Sequence, residues 1–290
     1  MNDSQHTSQR TSQPAVDQAA IEAAAQAIGR AEALFITAGA GMGVDSGLPD
    51  FRGPEGFWRA YPPLEELGIR FEQMANPRWF RDDPELAWGF YGHRLNLYRG
   101  SSPHAGFAIL RGWAEQKPLG AFVFTSNVDG HFQKAGLPEN RIVEIHGSIN
   151  FLQCSEPCAE EIFSAETLQI EVDESTLRAA PPLPLCPRCG ETLRPNILLF
   201  GDGQWLWNRT EKQREKFEAW MSGLPGKSLT IIEIGAGTSI PSVRHASEAL
   251  QKFGAKLVRI NPNESQGPPE TISIASGALD ALGQLQSLQP

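Results

Sequence analysis

Five short runs of β-branched and aromatic residues constrain this chain most: Leu34 to Ala38, Ala121 to Thr125, Ile142 to Ile145, Leu229 to Ile234 and Lys256 to Ile260. Each has strand rather than helix length and is rich in residues that suit a pleated surface. Helix-like segments lie between or before them. An Ala-rich stretch runs from Asp17 to Ala33, with Asp17 placed to cap it and Gly29 near its end, and Pro84 to Tyr98 and Gln213 to Met221 also read as helical. Strands and helices in alternation predict an α/β fold: a Rossmann-like parallel sheet with helices on both faces. With 290 residues, the chain has room for one large domain or two modest ones.

Two stretches interrupt the alternation. Residues 54–100 carry Trp58, Trp79, Trp88, Phe90 and Tyr91 among many charges, and predict a loop followed by short helices whose exposed aromatics order around a ligand. Residues 148–200 hold all four cysteines and the proline-rich Pro181 to Pro187, and predict a smaller inserted metal-binding module. The expected organisation is a sheet domain from 19–53, 101–147 and 228–290, inserts at 54–100 and 148–200, and a substrate-side connection at 201–227. A ligand cleft is expected between sheet and inserts. Residues 1–18 repeat Ser-Gln three times, offer little to bury, and predict a disordered tail.

Three residues separate Cys154 from Cys158 and two separate Cys186 from Cys189, with 27 residues between the pairs. Two thiolates on one turn can hold one side of a tetrahedral zinc, and a second pair closes an all-thiolate site with no position left for water. Cys154, Cys158, Cys186 and Cys189 are therefore expected to bind one structural zinc ion, in a compartment that keeps thiols reduced.

Gly39-Ala40-Gly41-Met42-Gly43 follows the first strand directly. Glycines permit close backbone approach, so peptide N–H groups can face a phosphate, although a tight turn without ligand is the alternative for this segment alone. The odds change with four further segments: Gly47-Leu48-Pro49-Asp50-Phe51-Arg52-Gly53, Ser126-Asn127-Val128-Asp129-Gly130, Glu144-Ile145-His146-Gly147-Ser148 and Gly237-Thr238-Ser239. In this order they resemble the sirtuins, NAD-dependent protein deacylases, over roughly residues 20–285.

That resemblance implies a set of roles. His146 would be the general base, an imidazole suited to neutral pH. Asn127 and Asp129 would face the nicotinamide end of NAD. Gly39, Ala40 and Gly41, with Ser126, Gly237, Thr238, Ser239 and Asn261, would hold its phosphates and riboses, and Asp50, Phe51 and Arg52 would form the cofactor-binding loop. Sirtuins also carry a four-cysteine zinc module in the corresponding place. Tyr91 and Arg94, three apart on a helix and so on one face, resemble the pair of sirtuins that remove acidic acyl groups: a forked guanidinium and a hydroxyl can read a carboxylate.

The pattern departs in places. Gly43 stands where Ser is usual, Ser126 where Gln is usual, and His131-Phe132 where an apolar residue and His are usual. Phe200-Gly201-Asp202 resembles a Phe-Gly-Glu segment on the substrate side, but Gly203-Gln204-Trp205-Leu206-Trp207 lacks the usual proline, and the two tryptophans are candidates to cover the groove or to create a new pocket.

The implied activity is NAD-dependent lysine deacetylation or desuccinylation of a protein or peptide. ADP-ribosyl transfer or NAD hydrolysis on the same fold, and a non-catalytic NAD-sensing module, are the alternatives. A net charge of −9 speaks against nucleic-acid binding, and no apolar run is long enough to span a membrane. A cytoplasmic location is expected.

Overall fold

The computed structural model describes residues 17–50 and 53–289. Residues 1–16 of the expected tail lie outside these, whereas Gln18 begins the first helix and Asp17 caps it. The helices are α1 (Gln18–Arg30), α2 (Gly53–Ala60), α3 (Pro62–Glu66), α4 (Phe71–Met74), α5 (Trp79–Asp82), α6 (Pro84–Gly100), α7 (Ala105–Gln116), α8 (His131–Lys134), α9 (Asn208–Met221), α10 (Ser242–Lys252) and α11 (Ala278–Ser287). The strands are β1 (Ala33–Ala38), β2 (Ala121–Thr125), β3 (Ile142–Glu144), β4 (Gly147–Cys154), β5 (Ile162–Ser164), β6 (Val172–Asp173), β7 (Arg178–Ala179), β8 (Leu193–Ile197), β9 (Leu229–Ile234), β10 (Lys256–Ile260) and β11 (Ile272–Ile274).

All six strands of the main sheet run parallel, in the order β11-β10-β9-β1-β2-β3. Side chains alternate between two cores. Leu34, Ile36, Val123, Ile232 and Val258 face α1, α7 and α11, whereas Phe35, Phe122, Ile231 and Leu257 face α9 and α10. Burial on both faces is why these strands read as continuous apolar runs. Asp17 caps α1 by accepting the Ala19 N–H at 3.0 Å. The segment at 201–227 is more than a connection, because α9 stacks Phe217 on Phe35 at 5.2 Å and sends the Trp220 indole N–H to the Leu119 carbonyl.

The two inserts share one core. Phe57, Tyr61, Trp88, Phe90 and Tyr91 from the helical stretch pack with Leu152, Ile170, Leu177 and Leu193 from the cysteine-bearing stretch. The expectation of exposed aromatics is corrected here: Phe57, Trp88, Phe90 and Tyr91 are at most 1% exposed, and burying each contributes roughly 1.5–3 kcal/mol. Gly89 makes the junction possible, since a Cβ there would fall 1.8 Å from the Leu177 carbonyl oxygen. The Trp88 indole N–H donates to the Leu193 carbonyl across the same contact. Among the described residues no helix is long and apolar enough to cross a membrane.

Candidate active site at the domain junction

From β1 the chain proceeds outward through β2 and β3, then returns to the other side of β1 with β9. The strand order therefore reverses between β1 and β9, and in open parallel sheets that crevice beyond the carboxyl ends is where ligands bind. Two glycine turns meet there. Gly39 donates to the Ile234 carbonyl and Gly41 to the Gly235 carbonyl, both at 3.0 Å. A Cβ on Gly39 or Gly41 would come within 2.7 Å of Gly235 backbone, and Gly235 itself adopts φ +63°. Only glycine fits at this contact, and the resulting cradle lies open to the crevice.

The second turn is braced from behind. Asn261, 1% exposed, donates to the Ala236 carbonyl at 3.0 Å and accepts the N–H groups of Asn263 and Glu264 at 3.0 and 2.9 Å. Arg244 of α10 donates to the same Ala236 carbonyl. Thr238 donates its hydroxyl to the Glu264 carboxylate at 2.6 Å.

A cavity of about 1160 Å³ extends from this cradle into the junction with the smaller domain, large enough for a dinucleotide together with a substrate side chain. Gly39, Ala40, Gly41, Asp50, Ser126, Asn127, Asp129, His146, Gly237 and Ser239 all line it, as do Tyr91 and Arg94. The structure does not bring Asn261 or Thr238 to the wall; the Asn263 and Glu264 they hold line it instead. Phe51 and Arg52 lie outside the described residues. Trp205 and Trp207 do not line the cavity, and Trp207 is 58% exposed.

The Asn127-Val128-Asp129 segment is fixed at three points. Asn127 donates its side-chain amide to the Gly39 carbonyl at 3.0 Å, Val128 accepts the Ile149 N–H at 3.0 Å, and Asp129 accepts the His131 N–H at 2.8 Å. Burial pushes the Asp129 carboxyl up to about 6, against the opposing His131 hydrogen bond. His146 sits between β3 and β4, where the chain passes from one domain to the other. Burial holds its imidazole below the usual histidine range, partly offset by a hydrogen bond to the Ser126 carbonyl, so it is neutral near pH 7 and can accept a proton.

Deeper in the smaller domain, α6 places Tyr91, Arg94 and Tyr98 on one face, and all three line the cavity. The Tyr91 hydroxyl is buried without a hydrogen-bond partner, and burial pushes its pKa up to about 12. Leaving such a group unsatisfied costs about 1–3 kcal/mol, a cost that a polar ligand group removes. Tyr98 is absent from the sequence motif; its signal was the four-residue spacing from Arg94 on the same helix.

The four cysteines converge at the far end of the smaller domain. Their sulfurs all lie within 4.8 Å of one another, with Cys154 to Cys189 at 3.6 Å and Cys158 to Cys186 at 3.7 Å. Zn–S bonds of about 2.3 Å in a tetrahedron require sulfurs ~3.8 Å apart, so the set fits one zinc ion. Backbone N–H groups of Arg188 and Cys189 pull the Cys186 thiol down, whereas burial pushes Cys154 up and crowding by the neighbouring sulfurs pushes Cys158 up, a repulsion that a bound cation relieves.

Fold and site together define an α/β protein that holds a dinucleotide at the switch point of a parallel sheet, beside a cysteine-stapled second domain. The chain belongs to the Sir2 family, whose model matches residues 39–224. It is similar to the NAD-dependent protein deacylase of Thermus thermophilus, 30% identical over 268 residues that cover 90% of this chain and 91% of that one. NAD-dependent protein deacylase 2 of Pyrobaculum aerophilum is 32% identical over 238 residues, 81% of each chain. A solved Sir2 homolog–NAD complex matches with a TM-score of 0.69 over 92% of this chain and 93% of that one, at 24% identity, which speaks for the fold.

Proposed function

We propose that this protein is an NAD-dependent protein lysine deacylase that accepts acidic acyl groups such as succinyl. The observation that carries the reading is that one cavity joins the glycine cradle, His146 and the buried Tyr91–Arg94 pair, so a dinucleotide and an acyl-lysine can occupy it end to end. When bound, NAD supplies an electrophilic ribose carbon that takes the acyl oxygen as nicotinamide leaves.

The chain's own residues do the rest. The Gly39–Gly41 and Gly235–Ser239 turns present backbone to the phosphates. Asn127 and Asp129 orient the nicotinamide end, and Asp50 lines the same cavity. Neutral His146 accepts a ribose hydroxyl proton at its imidazole nitrogen. Leu198, Leu199 and Phe200 follow β8 along the cavity wall and offer the path for substrate backbone, as an added strand would. With one water, the products are nicotinamide, the free lysine and an O-acyl-ADP-ribose. Four thiols suited to a metal and a need for free NAD fit a cytoplasmic location.

Mass spectrometry on matched acetyl-lysine and succinyl-lysine peptides with NAD tests the proposal, using wild type, His146→Ala and Arg94→Met. Acyl loss stoichiometric with nicotinamide, abolished in His146→Ala, supports deacylation. An Arg94→Met effect confined to the succinyl peptide supports the acidic pocket. Nicotinamide release with both peptides intact would transfer the reading to ADP-ribosyl transfer or NAD hydrolysis, which the short Ser126 side chain favours.

A further inference from the structure

We infer that Tyr98 is a specificity-determining residue of this site: its hydroxyl orients the Arg94 guanidinium and donates its own proton to the carboxylate of an acidic acyl chain. The inference rests on the proposed acidic-acyl pocket and names a residue that the Tyr-x-x-Arg spacing does not contain.

Arg94 Nε and Nη2 both donate to the Tyr98 hydroxyl, at 3.0 and 2.8 Å. One side of the planar fork is thereby fixed, and an incoming carboxylate meets the guanidinium at its Nη end. A tyrosine oxygen that accepts two N–H groups has both acceptor directions used, so its O–H proton is turned away from Arg94. Tyr98 lines the same cavity as Arg94 and Tyr91, which directs that proton toward the space a ligand fills. Tyr91 adds the second hydroxyl, buried and without a partner.

Two phenols and a guanidinium thus line one cavity, and an ionised carboxylate, with roughly four lone-pair directions, has acceptor capacity for all of them. The surroundings strengthen the contact. The guanidinium lies 5.3, 5.7 and 5.4 Å from the ring centroids of Phe90, Tyr91 and Tyr98, and these rings exclude the water that would otherwise screen the charge. An acetyl group carries nothing that these donors can read.

Tyr98→Phe removes one oxygen and keeps the ring. The measured quantity is the ratio of kcat/KM for succinyl-lysine and acetyl-lysine versions of one peptide. A hydrogen bond to a charged group predicts a fall of about ten- to a hundredfold in that ratio, carried by KM of the succinyl peptide. A purely structural role for Tyr98 would lower both peptides in proportion, and an unchanged ratio would overturn the inference. Tyr98→Met gives the same reading should the phenylalanine variant fold poorly. In an Arg94→Met background the Tyr98→Phe effect shrinks; an effect of full size there would overturn the orienting role. A wild-type enzyme without preference for the succinyl peptide would instead sink the acidic-pocket reading itself.

Discussion

Asp202 holds Arg194 through both carboxylate oxygens, at 2.8 and 2.9 Å, and neither side chain reaches solvent. Asp202 also accepts the Gln204 N–H at 3.1 Å, so the pair pins the turn after β8 to β8 itself. Leu198, Leu199 and Phe200, which line the cavity, lie between the two anchors. A buried ion pair of this kind can contribute little net stability while being costly to break, because removing one partner leaves the other charge uncompensated.

Asp202→Ala is expected to destabilise the protein by about 3–5 kcal/mol, measured by urea unfolding. The released wall segment should also raise KM for the acyl peptide more than it lowers kcat. A variant with wild-type stability would mean that Arg194 finds another partner.

Asp129 offers a sign-specific test. Its carboxyl is raised from the ordinary 3.8 to about 6 in the native state. Between roughly pH 4 and 6 the native chain keeps a proton that the unfolded chain has released, so stability falls as pH rises through that window. Above it the charged, buried carboxylate costs on the order of 3 kcal/mol. Asp129→Asn should therefore raise Tm by about 5 °C at pH 7.5, with the gain vanishing toward pH 4, while turnover drops sharply. Thermal scans across pH decide this, and a variant less stable at pH 7.5 would contradict it.

The acidic limb of the rate profile is a second readout. With His146 held below the ordinary 6.5 by burial, the acidic limb of kcat/KM should lie below the pH range in which an ordinary imidazole titrates. Asp129, raised to about 6, adds its own titration to the limb, and Asp129→Asn should remove that component and leave the His146 component alone. A limb starting well above pH 7 would remove His146 from the role of base.

Zinc removal should act on the fold before the chemistry. Cys154 ends β4, which also begins beside His146, so loss of the metal loosens the strand that carries the site. Cys186→Ser or a strong chelator is expected to lower Tm by about 10 °C and to release one zinc per chain, read by metal analysis and circular dichroism. Unchanged stability in the metal-free protein would show that the four thiols hold nothing structural.

The main sheet was legible because its strands are buried on both faces. Leu34 to Ala38 and Leu229 to Ile234 need no alternation to be read, and the glycine segments after them mark the switch point directly. The cysteine spacing likewise stated its own geometry. The three-residue edge strand β11 carried too little pattern to stand out, and the short strands of the smaller domain, interrupted by the irregular pairing between Ser148 and Leu152, gave no period to count.

What the sequence by itself determined is the chemistry available: His146, the Asn127–Asp129 pair, the glycine cradle and four thiolates, all local patterns of residue type and spacing. What only the tertiary structure decided is which side chains face one another over long sequence separations. It merged two inserts into one core through the Gly89–Leu177 contact, turned Asn261 from a wall residue into the brace behind the wall, and set Tyr98 against Arg94 at the floor of the cavity. Those outcomes depend on packing between segments far apart in the chain, where a side chain's direction is fixed by its neighbours' volumes and not by its own sequence context.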